Sequence, residues 1–142
     1  MTLAAATLLG LALQRSGRQL GRRTSRSPVR SQAGLPASAV GTLSAAELGF
    51  PLGERATLVQ FSSAFCSPCR ATRRVLEEVA TTVEGVAHIE VDAESHLELV
   101  RRLDVRRTPT VLVLDPAGTV VRRASGQPRK VDVIAALGEA VR

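Results

Sequence analysis

The chain has 142 residues, about one domain's worth, and its hydrophobic share of 44% can furnish a modest core. Aromatic residues make up only 2%, with Phe50, Phe61 and Phe65 and no Trp or Tyr. RNA and single-strand binders need aromatic stacking platforms, so the composition argues against such a surface, and no nucleic-acid partner is expected despite the formal charge of +6. That charge is unevenly spread. Residues 1–46 hold six arginines (Arg15, Arg18, Arg22, Arg23, Arg26, Arg30) and no acid, whereas residues 47–142 balance 13 basic against 13 acidic groups.

Residues 1–13 (MTLAAATLLGLAL) form an uncharged apolar run, followed at once by Arg15 and Arg18. The run is short of the roughly 20 residues of a spanning helix. A signal peptide carries its positive charge before the apolar run, and here it comes after. Arginine on the trailing side favours a short N-terminal membrane anchor in residues 1–23, with the rest of the chain facing the cytoplasm. A disordered or mis-assigned start and an export or transit leader are the alternatives. Residues 24–41, rich in Ser, Pro, Gly and Ala, read as a flexible linker, and residues 42–142 as the folded domain.

Ser44-Ala-Ala-Glu47 has capping-box spacing with Gly49 close behind, which predicts a short helix over 44–48. Ala56–Ser62 reads as a strand buried on both faces. From Pro68 to about Val83 the apolar positions Ala71, Val75, Leu76 and Val79 recur at helical spacing. Ala87–Val91 reads as a second strand. Ser95–Leu103 is a helix presenting Leu97, Val100 and Leu103. Thr110–Leu114 is a β-branched strand, and Asp115-Pro-Ala-Gly118 is a turn into a hairpin partner over 119–124. A last helix from Pro128 places Val133, Ile134, Leu137 and Val141 on one face. The pattern β-α-β-α-β-β-α predicts an α/β domain with a mixed central sheet flanked by helices on both faces.

Cys66 and Cys69 form a C-x-x-C at the junction of the first strand and the following helix. The N-terminus of that helix offers unsatisfied N–H groups and a partial positive charge, which would stabilise a thiolate at Cys66. Cys69 lies one turn inside, and Pro68 suits a first turn that needs no donor. Lowering a thiol pKa from ~8.5 to ~7 raises the thiolate fraction at neutral pH from about 3% to about one half. A low-pKa thiolate is also a good leaving group when the second cysteine resolves a mixed disulfide. Other readings of the pair stay open. With His88 and His96 the zinc pattern would be C-x2-C-x18-H-x7-H, outside the usual spacing of about 12 residues and 3 to 5 residues. An inert buried pair and a purely structural disulfide are further alternatives; the redox-active dithiol is the favoured one.

Three segments, LVQFSSAFCSPCRATRRVLEEVA, HIEVDAE and RRTPTVLVLDPAGTVVRRASG, resemble thioredoxin, in particular the small thioredoxin-like proteins of high-GC bacteria. The resemblance covers about residues 55–142. It implies a thioredoxin-like fold and a protein-disulfide oxidoreductase needing neither metal nor organic cofactor. Cys66 matches the nucleophile and Cys69 the resolving thiol. Pro109 matches a cis-proline that packs against the dithiol, Thr108 the backbone that pairs with substrate, and Gly126 a glycine of the substrate groove. Phe65, Ser67 and Pro68 complete the implied substrate contact.

The departures from the family are specific. Phe65 stands where Trp is usual, and Ser67-Pro68 replaces Gly-Pro. Gln60 occupies the place of a buried Asp that assists proton transfer, and His88 that of its Lys partner. Gln cannot act as a base, so His88 or a water would take the proton-transfer role. The paired arginines read mostly as solvated faces, but Arg106-Arg107 directly precede Thr108-Pro109 and would steer acidic partners. The implied partners are disulfide-containing protein substrates and an unidentified reductase or thiol donor, with the domain acting as a monomer in the cytoplasm. A protein-binding adapter with a vestigial dithiol and an exported dithiol oxidant are the rival functions.

Overall fold

The computed structural model describes residues 41–142. The expected anchor over 1–23 lies outside the described residues, as does the linker except for Gly41. Among the described residues no helix is long and apolar enough to cross a membrane.

Helix α1 (Ala45–Leu48) is one turn long and is held at both ends. The Ser44 hydroxyl accepts from the Glu47 N–H while the Glu47 carboxylate accepts from the Ser44 N–H, closing the capping box. Gly49 ends the helix at φ 76°, a left-handed conformation that a β-carbon would oppose. Strand β1 (Ala56–Ser62) is buried along its whole length. It lacks alternation because helices cover both of its faces, as in parallel sheets.

Helix α2 (Ser67–Thr82) crosses over to strand β2 (Val86–Asp92), which pairs with β1 in parallel from Ala56↔Val86 to Ser62↔Asp92. Helix α3 (Leu97–Arg102) leads to strand β3 (Thr110–Leu114), antiparallel to β1, and a hairpin continues to strand β4 (Val120–Ser125). The hairpin turn is fixed by Asp115, whose carboxylate accepts from Thr119 N–H at 2.8 Å. Helix α4 (Lys130–Ala140) ends the chain, and the sheet order is β2-β1-β3-β4.

Two apolar layers result. On one face Val59, Phe61, Ile89, Val91, Leu112 and Leu114 pack with Leu48 of α1 and Leu99 of α3. On the other, Leu58, Val111 and Val113 pack with Leu76 and Val79 of α2 and with Val133 and Leu137 of α4. The mixed sheet between helical layers is the architecture the sequence pattern predicts.

Two helical faces differ from expectation. Leu97 is 53% exposed, and the buried stripe of α3 runs instead through Leu99 to Leu103. Within α3 only Leu99 is buried, with Leu103 one turn on at the C-cap; Leu97 lies about 200° around the helix from Leu99 and so points outward. Helix α4 starts at Lys130 rather than Pro128 and buries Val133, Leu137 and Ala140; Ile134 is 48% exposed. Ile134 lies about 100° around the helix from Val133, off the narrow stripe that meets the sheet.

Candidate active site

The cysteines sit where β1 hands over to α2. Cys66 is the N-cap of α2, Pro68 lies in the first turn, and the Cys69 N–H points at Cys66 Sγ at 3.2 Å. The sulfur thus takes the place that a Ser or Asp oxygen fills in an ordinary cap. No acidic residue occupies the first turn, so the positive end of the helix faces the sulfur without a competing carboxylate. Cys66 and Cys69 are joined as a disulfide, with their Cα atoms 5.2 Å apart. Cys69 is 2% exposed, whereas Cys66 is half-buried. Phe65 projects fully into solvent beside them.

Beneath the dithiol lies a polar layer. Gln60 is fully buried, and its side-chain amide donates to the Cys69 carbonyl at 2.8 Å and to Ser62 Oγ at 2.9 Å. The carbonyl can only accept, so the nitrogen of the amide must face it and the oxygen must face away. That oxygen meets His88 Nε2 at 3.3 Å, and His88 therefore carries its proton on Nε2 toward Gln60. Burial holds the His88 imidazole below its ordinary value of 6.5; Glu77 and Glu90 oppose the shift and Arg73 adds to it. Arg73 of α2 closes this edge through an ion pair with Glu90 at 2.7 Å. Burial raises the Glu90 pKa, but hydrogen bonds from Arg73 and Ser62, with the charges of Arg73 and His88, together outweigh it and hold the carboxyl below the usual range.

The loop before β3 comes to the same end of the sheet. The Thr108–Pro109 peptide is cis, in agreement with the expectation for Pro109. Thr108 Oγ1 and Ser63 Oγ share a hydrogen bond at 2.9 Å, which ties this loop to the segment leading to Cys66. Gly126, at φ 92°, donates its N–H to the Pro109 carbonyl at 2.7 Å and so brings the end of β4 to the loop. The structure thus links Thr108, Pro109 and Gly126 to one another, and Ser63 links them to the dithiol segment. Among the described residues no three His, Cys, Asp or Glu side chains gather as a metal site.

The thioredoxin family model matches residues 51–139. The chain belongs to the thioredoxin family. Thioredoxin C-2 of Corynebacterium nephridii is 30% identical over 77 residues, covering 54% of this chain and 71% of that protein. Thioredoxin-1 of Caenorhabditis elegans is 30% identical over 59 residues, covering 42% of this chain and 51% of its own length. Several curated relatives are matched over about half of their length or less. Among solved structures, a mutant thioredoxin from Halobacterium salinarum NRC-1 superposes with a TM-score of 0.57 at 20% identity. That match covers 63% of this chain and 77% of the other. This likeness concerns the fold, which it shows to be that of thioredoxin.

Sequence reasoning placed Gln60 and His88 side by side but missed Ser62 and Ser63. Ser62 accepts from Gln60, and Ser63 holds Thr108. The only signal for either was a pair of hydroxyls at the C-terminal end of a buried apolar strand, where an unpartnered hydroxyl is costly.

Proposed function

We propose that the domain is a thiol-disulfide oxidoreductase that reduces disulfides in protein substrates. The observation that carries this reading is the Cys66 sulfur at the N-terminus of α2, receiving the Cys69 N–H with no acidic residue in the helix's first turn. In the reduced protein the same N–H and helix end favour Cys66 as a thiolate. That thiolate attacks one sulfur of the substrate disulfide, forms a mixed disulfide and expels the first substrate thiolate, which takes a proton from water. Cys69, deprotonated in turn, attacks Cys66 Sγ and expels the second thiolate. Two electrons pass to the substrate, and the protein is left as the Cys66–Cys69 disulfide. The difference in exposure supports the assignment, because an incoming disulfide can reach half-buried Cys66 but not Cys69.

The substrate segment lies along Phe65, Ser67, Pro68, Thr108, Pro109 and Gly126, pairing in extended form with the Thr108 backbone. Gln60 and His88 act together in this reading. His88 orients the amide, the amide holds the Cys69 carbonyl, and the proton from the Cys69 thiol leaves by way of water. No cofactor beyond the cysteine pair is required, and an unidentified reductase or thiol donor restores the dithiol. The reducing direction suits a cytoplasmic domain tethered through residues 1–23, a placement supported by the arginines that trail the apolar run. Protease access to a C-terminal tag in intact cells tests the placement: protection agrees with it, and digestion points to an exported oxidant.

A Cys69→Ser variant tests the chemistry. It should accumulate disulfide-linked partners that a reductant releases, while Cys66→Ser captures none. Absence of any linked partner from Cys69→Ser would overturn the enzyme reading and favour a binding adapter.

A further inference from the structure

Arg106 and Arg107 adjoin in sequence but are placed very differently. Arg106 Nε is paired with Asp104 at 2.8 Å. Arg107 instead reaches across to β4, where its Nη2 donates to the Ser125 carbonyl at 3.1 Å. A β-carbon placed on Gly126 would stand 2.6 Å from that same nitrogen, so the guanidinium lies against Gly126. The Thr110 hydroxyl donates to the Arg107 carbonyl at 2.7 Å and fixes the backbone from which the side chain extends.

Among the ion pairs of the described residues, Arg107 has none. A guanidinium carries five N–H donors in a planar fork, and Ser125 uses one of them. The neighbouring segments do not supply a carboxylate either. Segments 61–76, 105–114 and 119–131 contain no Asp or Glu. Of the acids at this end of the sheet, Asp104 is taken by Arg106, and Asp92 lies on β2, on the far side of β1 from β3. Arg70, directly after Cys69, is likewise exposed and in no ion pair among the described residues.

We propose that Arg107 is a specificity-determining residue that pairs with a carboxylate beside the disulfide of the bound substrate, so that acidic disulfide segments are the preferred class. The inference rests on the oxidoreductase reading and adds a substrate class to it. A substrate running past Pro109 and Gly126 meets the guanidinium, and an Asp or Glu there gains a forked, charge-assisted contact. The contact is open to solvent, so its effect is moderate and falls with ionic strength.

The test uses the full chain, reduced with dithiothreitol and freed of it, and two synthetic peptides with an internal disulfide. One carries Asp and Glu flanking each cysteine and the other carries Ser and Asn. Single-turnover reduction is followed by alkylation mass shift. The wild type should reduce the acidic peptide faster, and Arg107→Ser should lower the acidic-to-neutral ratio about three- to fivefold at low salt. Arg107→Lys, which keeps the charge but loses the fork, should fall between. Arg106→Ser, which removes a charge set back from the groove and leaves its partner Asp104 behind, should lower the ratio less than Arg107→Ser. A ratio that survives Arg107→Ser, or falls equally in Arg106→Ser, would overturn the assignment. Failure to reduce either peptide would instead overturn the oxidoreductase reading beneath it.

Discussion

The side chain of Gln60 holds the backbone of Cys69: its amide nitrogen and the Cys69 carbonyl are 2.8 Å apart in a fully buried setting. One strand thereby fixes the first turn of the helix that carries both cysteines. Gln60 can do this because it donates in two directions and accepts in a third, and Cys69, Ser62 and His88 meet all three demands. A carboxylate at this position would set an acceptor against the Cys69 carbonyl. The layer beneath the dithiol is therefore neutral by construction.

Gln60→Glu tests that neutrality. The new carboxyl has nearly the same shape but must stay protonated to donate to the Cys69 carbonyl, so its folded pKa rises above the usual ~4.3. An unfolded chain releases that proton more readily, so destabilisation appears above about pH 4.3 and grows as pH rises through the folded value. A loss of about 1–3 kcal/mol at neutral pH, recovered in acid, is expected from denaturant titrations.

His88 gives the opposite slope. Its folded pKa lies below 6.5, so between the two values the unfolded state binds more protons and stability increases with pH. The contribution is fully present above about pH 6.5 and is lost as pH falls toward the folded value, by at most about 1.4 kcal/mol per unit. His88→Asn keeps a donor to Gln60 and removes the titration. Urea midpoints measured from about pH 7.5 to about pH 5 should fall for the wild type and stay flatter for the variant.

Phe65 has no packing to lose, being fully exposed. Phe65→Ala should change unfolding free energy by no more than about 0.5 kcal/mol. On the substrate contact proposed for Phe65, it should nevertheless slow reduction of a folded protein disulfide several-fold. Insulin reduction alongside thermal unfolding separates the two effects.

Gly138 lies inside α4, and a β-carbon there would meet nothing within 4 Å. Alanine restricts the unfolded chain and favours the helix, so Gly138→Ala should stabilise the domain by about 0.5–1 kcal/mol without altering the redox reaction. Thermal melts and dithiol assays of the variant check both halves of the statement.

The strands and the long helix were legible because their signals were local and redundant. Ala56–Ser62 and Thr110–Leu114 matched their predicted bounds, since β-branched runs bounded by turn residues leave little choice. The C-x-x-C was readable for a similar reason, as the strand pattern ending at Ser62 and the helical periodicity from Pro68 place Cys66 at a helix start. Leu97 and Ile134 were misread because helical periodicity marks which residues share a face, not how wide a stripe the neighbouring sheet covers. The role of Ser63 and the difference between Arg107 and its neighbour Arg106 escaped for another reason. The partners of Ser63 and Arg107, Thr108 and Ser125, lie 45 and 18 residues away, and only the closed sheet brings them together.

The most direct test of the account is the redox equilibrium of Cys66 and Cys69 against graded mixtures of reduced and oxidised glutathione and dithiothreitol, scored by alkylation mass shift. A protein-disulfide reductase should show one reversible two-electron transition near or below about −250 mV. A transition nearer about −150 mV would contradict the reducing direction and indicate an oxidant. A pair that never forms a reversible intramolecular disulfide would contradict the enzyme itself.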